Sequence, residues 1–213
     1  MRFARESPEF DRSLSFFDAV YGFALTLLIA NLDVPPPEDW GSVRTLMAHG
    51  VGTQLLGFLI SFFVIVQFWR TNQDVIARLH GMDRAVVTWN VYRAGLVIFI
   101  PFTTQAMSDP DMVDLPLPTA LYAVNISAAI LIQMRMYAGA VRRGLVRIKV
   151  SDRLARAETV DALSKPAVFL ASIPVAFAFG GIAGKMTWLL LLIVGPATGI
   201  IAGRIARQDG VDL

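Results

Sequence analysis

Residues 12–35, RSLSFFDAVYGFALTLLIANLDVP, start on a charge, run through about 20 mostly apolar residues and stop at Pro35, the first of three consecutive prolines. A helix needs ~20 apolar residues to cross the hydrocarbon layer of a bilayer, so this stretch has the length of a membrane span. Asp18 nevertheless sits in its first turns and Thr26 near its middle. Polar atoms in lipid are costly and turn toward protein or water. An apolar helix with a few such atoms fits the lining of a pore.

Composition extends the reading to the whole chain. Of its 213 residues 55% are hydrophobic and only 17% charged, against about 25% charged in an ordinary soluble domain. The chain reads as an integral membrane protein whose first partner is the lipid bilayer. Run lengths predict six spans, at residues 14–32, 51–69, 85–107, 117–137, 166–182 and 188–205. The fifth is the most interrupted, by Pro174 and by Gly180–Gly181. The predicted fold is an all-α membrane protein, one six-span domain over residues 1–213. No cleavable signal sequence is expected at its start.

The loops set the orientation. Fifteen of the 19 basic residues fall on one set of loops and ends. They include Arg2, Arg5 and Arg12, Arg78 and Arg84, and the group Arg142, Arg143, Arg147 and Lys149. The other side holds only Arg44 and Lys185. Basic loops stay cytoplasmic, so both termini are expected inside. Residues 139–165 read as the one long cytoplasmic loop, whose first part extends the fourth span or lies along the anionic leaflet, or else is solvated.

Other chemistry is thin. A net charge of +2 points to no nucleic-acid partner. The absence of cysteine excludes disulfides and thiolate metal sites. His49 and His80 are too scattered for a zinc site. No phosphate loop, nucleophile motif or paired carboxylate motif on a helix is present. No catalytic residue, metal ligand, cofactor or small-molecule substrate is therefore expected, and no enzyme.

Attention falls on a few polar residues and one stripe. Arg93 lies about nine residues, or ~13 Å, inside the third span. It belongs to a water-filled path or buried ion pair, or else snorkels or makes a structural hydrogen bond. On the first span, at ~100° per residue, Phe23, Leu27 and Ala30 share a stripe with Thr26 at its edge. Asp18 points roughly 140° away from it, toward a neighbouring helix. Trp69 lies at matching depth and offers an indole N–H to that carboxylate, and Asn72 a second donor. The plainer reading of Asp18 is an acid favoured near a helix N-terminus. The plainer reading of Thr26 is a hydroxyl bonded back to its own helix.

The pattern Arg12-x-x-x-Phe16-Phe17-Asp18, followed by AVYGFALTLLIANLDVP, resembles the first helix of the transmembrane protein 175 family of potassium-permeable channels. SFFVIVQFWRTNQ, LHGMDRAVVTWN and IPFTTQAM resemble its second and third helices, so the resemblance covers residues 12–107 by motif. It implies a six-span subunit that assembles as a homotetramer in a prokaryotic plasma membrane, with the first helix lining the pore. By position the constriction would fall on Phe23, Thr26 or Leu27, and Ala30. Arg12, Phe16, Asp18 and Trp69, with Asn72 beside them, would form a structural network at the cytoplasmic end. The chain departs from the family where Phe17 replaces the signature serine and Asn72–Gln73 replace a histidine pair. Phe23 is bulkier than usual and Ala30 smaller.

The expected function is therefore a cation channel that passes K+. A secondary transporter is the first alternative, with Pro174, Gly180–Gly181 and Gly195-Pro196 as its candidate helix breaks. A non-conducting scaffold that recruits partners through Arg142 and Arg143 is the second.

Overall fold

The computed structural model describes residues 2–48, 50–147 and 150–210. His49 and Lys149, noted in the sequence, lie outside them. Among the described residues six helical segments are long and apolar enough to cross a membrane.

The first is α1, Pro8–Ala30. The Ser7 hydroxyl accepts from the Phe10 N–H, Pro8 opens the helix, and Glu9 and Asp11 face its positive end. After a 3-10 turn over Pro37–Gly41 and the short α2, Val43–Ala48, the chain enters α3, Val51–Ala77. Helix α4, Arg84–Ser108, is capped by Asp83, whose carboxylate accepts from the Val86 N–H at 2.8 Å. Helix α5 is Pro116–Arg142 and α6 is Asp152–Phe179, the latter capped by Ser151. The last span is composite: α7, Gly181–Met186, a 3-10 turn Thr187–Leu190, and α8, Leu191–Gln208.

Helix α4 packs on α5, with α1 and α3 against its other side; α5 packs on α6, and α6 on α8. Half of the apolar window of α5 is buried but only 11% of that of the last span. Helix α5 is thus interior and α8 peripheral. The core between them holds Phe17, Tyr21, Leu28, Ile65, Val97 and Ile126.

One end of the bundle is tied by short non-helical pieces. Strand β1, Arg2–Ala4, pairs antiparallel with β2, Gly81–Asp83. Leu79 bridges to Val146, and the Ser151 hydroxyl donates to Asp209. The loops richest in arginine therefore meet at the same end. At the opposite end, Lys185 Nζ donates to the carbonyls of Met107 and Val113, at 2.8 and 2.6 Å.

Two expectations are corrected. The 139–165 segment is not one long loop: α5 runs on to Arg142, which is the extension of the fourth span, and α6 begins at Asp152. The fifth helix starts 14 residues before its apolar run and passes Pro166 and Pro174 without a break. Hydropathy marks where lipid begins, not where a helix begins. The polar first half of α6 stays helical because Ser151 caps it and its charges find partners. Glu158 pairs with Arg78 at 2.8 Å and Lys165 with Asp161 at 2.6 Å.

Candidate functional site: the outer face of the first helix

Helix α1 has two unlike faces. Phe17, Tyr21, Ala24 and Leu28 are buried, spaced three or four residues apart, and they seat the helix on its neighbours. The other face is bare. Phe23 is 69% exposed and Leu27 45%, and Thr26 and Ala30 are exposed with them. The four residues of the predicted stripe thus lie together on the surface of the protomer.

The Thr26 hydroxyl donates to the Phe23 carbonyl of its own helix at 2.8 Å. Its proton is thereby directed inward, and the oxygen lone pairs are left to the exposed side. A threonine in this state remains an acceptor.

Behind the stripe, α1 is tied to α3. The Asp18 carboxylate accepts from Trp69 Nε1 at 2.9 Å and from Gln73 Nε2 at 2.5 Å. Trp69 stands where depth-matching placed it. Asn72 does not bond Asp18; its place is taken by Gln73, and the Asn72 side chain turns to Arg93 instead. Successive residues diverge by ~100° around a helix, so only one of the pair can face α1. Trp69 and Gln73, four apart, share that face, a spacing visible in the sequence but not used. Arg12 is exposed at the start of the helix, and Phe16 is exposed with its ring edge-on to buried Phe17, centroids 5.4 Å apart.

Arg93 is fully buried. Its Nη1 donates to the Tyr21 hydroxyl at 2.5 Å and to Asn72 Oδ1 at 3.1 Å, and its Nη2 to the Phe68 carbonyl at 2.8 Å. The guanidinium also lies over the Phe68 ring, 5.1 Å from its centroid. It does not snorkel, it forms no ion pair among the described residues, and it takes the structural reading. Sequence reasoning missed Tyr21, whose hydroxyl meets that guanidinium. It also missed a buried hydroxyl cluster in which Thr104 donates to Ser61 at 2.6 Å and Ser61 meets Tyr122 at 3.1 Å.

No group of three metal-ligating side chains gathers among the described residues. The arrangement instead offers a helix fastened along one side by polar bonds and bare along the other.

The chain is similar to known proteins in sequence and fold. Residues 12–101 match the model of the family described as endosomal/lysosomal potassium channel TMEM175. A potassium channel of Chamaesiphon minutus is 27% identical over 187 residues, 82% of this chain and 87% of that one. A potassium channel of Streptomyces collinus is 28% identical over 104 residues, 47% of this chain and 48% of its own length. The crystal structure of a lysosomal potassium-selective channel TMEM175 homolog from Chamaesiphon minutus superposes with a TM-score of 0.71 at 22% identity. It covers 90% of this chain and 99% of that chain, so the six-helix fold is shared. The family model matches residues 12–101 of the 12–107 over which the motifs resemble the family, so most of IPFTTQAM lies beyond the match.

Proposed function

We propose, with similarity to the TMEM175 potassium channels as premise, that this chain is one subunit of a potassium channel and that four copies of α1 line its pore. The observation that carries the reading is the bare outer face of α1, on the helix that the family model covers. Bare apolar residues on α6 and α8, such as Phe177, Leu192 and Ile193, can face lipid; on α1 the match to the family model supports turning the bare face to a shared axis instead. Around a shared axis the same face closes a narrow ring.

Residues 1–213 form one six-span domain in this reading, a homotetramer in a prokaryotic plasma membrane. Its arginine-rich end faces the cytoplasm. Phe23, Leu27 and Ala30 make the apolar constriction. Such a ring resists water, so conduction requires it to widen or rewet. The Thr26 oxygens, repeated by symmetry, offset part of the dehydration of a passing K+. The Asp18–Trp69–Gln73 bonds, with Arg12 and Phe16 at the same end, hold the helix in register. The protein is then no enzyme. It needs no cofactor beyond its permeant ion, and neither a nucleic acid nor a small-molecule substrate.

The carrier alternative asks for helices broken near mid-span. Here α6 passes Pro174 and α8 passes Gly195-Pro196 unbroken, and the break at Gly180 lies at the bundle end. For the scaffold alternative, Arg143 is already engaged with Asp83 at 2.6 Å.

The test is K+ flux into vesicles containing the purified protein. Phe23→Ala is expected to raise leak conductance by opening the ring. Absence of cation flux in both wild type and Phe23→Ala removes the channel reading.

A further inference from the structure

Arg93 is an unusual use of charge. It is fully buried, yet among the described residues no carboxylate meets it. Its Nε and the neighbouring Asn72 Nδ2 are buried without any acceptor. A cation at membrane depth, compensated only by dipoles and ring faces, is expensive to keep. Neutral packing would serve a purely structural contact at less cost.

What distinguishes the site is what it joins. Arg93 is on α4, Phe68 and Asn72 are on α3, and Tyr21 is on α1. A single guanidinium fork thus links three helices, and its bond to α1 goes to one hydroxyl. At ~100° per residue Tyr21 lies about 180° from Ala30 and within about 60° of the point opposite Phe23, Thr26 and Leu27. The anchor sits on the back of the helix whose front is the bare stripe. Asp18, one turn earlier, adds the second anchor through Trp69 and Gln73. Two anchors one turn apart resist both sliding and rotation of α1. Loss of either leaves α1 held by polar bonds at one level only, so that its rotation rests on apolar packing alone.

We propose that Arg93 is a positioning residue for α1: through the Tyr21 hydroxyl it sets the rotation of the pore helix, and with it the balance between closed and open states. The inference rests on the channel reading above and adds the element that controls it. The fork matters as well as the charge, since three acceptors on two helices are held by one planar group. Lysine keeps the charge but is a point donor and cannot hold all three in place.

The experiment is single-channel recording of the purified full chain in planar bilayers with symmetric KCl. Tyr21→Phe keeps the ring that fills the core and removes only the hydroxyl. It is expected to shift the open–closed ratio by about fivefold or more, with the single-channel conductance kept, because the stripe itself is unchanged. Arg93→Lys is expected to shift the ratio in the same direction. A double variant that moves no further than the larger single variant would place both residues in one junction. A merely structural contact predicts something else: fewer assembled channels, each with the open probability of wild type. That result, or Tyr21→Phe and Arg93→Lys channels that gate as wild type does, overturns the inference and leaves the channel reading standing. A wild-type protein without K+ current removes both.

Discussion

At the scale of single residues, the polar side chains of this protein divide by what they are asked to hold. Asp83 does two jobs outside the membrane core. It caps α4 through the Val86 N–H and accepts from Arg143 Nε at 2.6 Å. Partial burial works to raise its carboxyl pKa, but the Val86 N–H and the Arg143 guanidinium outweigh this and hold it below the ordinary carboxylate range. A carboxyl depressed in the folded state stabilises above its unfolded pKa of ~3.9, and the contribution fades as pH falls through the folded value. Asparagine at this position can still cap the helix but cannot carry the charge. Asp83→Asn is therefore expected to cost up to ~1 kcal/mol at pH 7, the scale of a partly exposed ion pair. Its melting temperature in detergent should approach that of wild type as pH drops below about 4. A gap that stays constant between pH 7 and pH 3 would contradict this account. Asp18 and Trp69 show the complementary case: a carboxylate and an indole N–H at one depth have few other partners, which made their bond readable in advance.

At the scale of elements, the spans were legible and their ends were not. Runs of apolar residues predicted six crossings because transfer into lipid is a local, additive property. The start of α6 escaped because a capped, charge-paired helix needs no apolar run. The C-terminal end of that helix is set by backbone. Gly180 has φ +95°, which a side chain would strain, and its N–H bonds the Ala176 carbonyl. The chain then turns α7 so closely onto α6 that a Cβ on Gly184 would lie 2.6 Å from the Ala176 Cβ. Gly184→Val is expected to destabilise the protein by ~1–3 kcal/mol, as overpacking of a tight contact does. The loss is read as a lower melting temperature in detergent, with Gly184→Ala intermediate. An unchanged melting temperature for the valine variant would mean that α7 does not rest on α6 at this distance.

At the scale of the whole molecule, the bundle is packed on the inside and apolar on the outside, and α1 is one of several helices with a bare face. Phe63 and Leu59 of α3 are exposed as well, 65% and 48%. In the tetrameric reading the stripes of neighbouring subunits approach one another. The chain contains no cysteine, so an introduced thiol is unique. Ala30→Cys is expected to give disulfide-linked dimers when membranes are oxidised. Ala24→Cys, on the fully buried face, is expected to stay monomeric on the same gel. If Ala30→Cys also remains monomeric under oxidation, the first helices do not meet.

The number of crossings and the two-sided distribution of charge were written in the order of residues, because both follow from the free energy of moving a short segment between water and lipid. The tertiary structure alone decided which way each helix is turned. Whether Asn72 or Gln73 meets Asp18, and what fastens Arg93, depends on the rotation of α3 and α4 against α1. That rotation is set by packing among residues 21 to 72 positions apart, a distance over which local pattern carries no information.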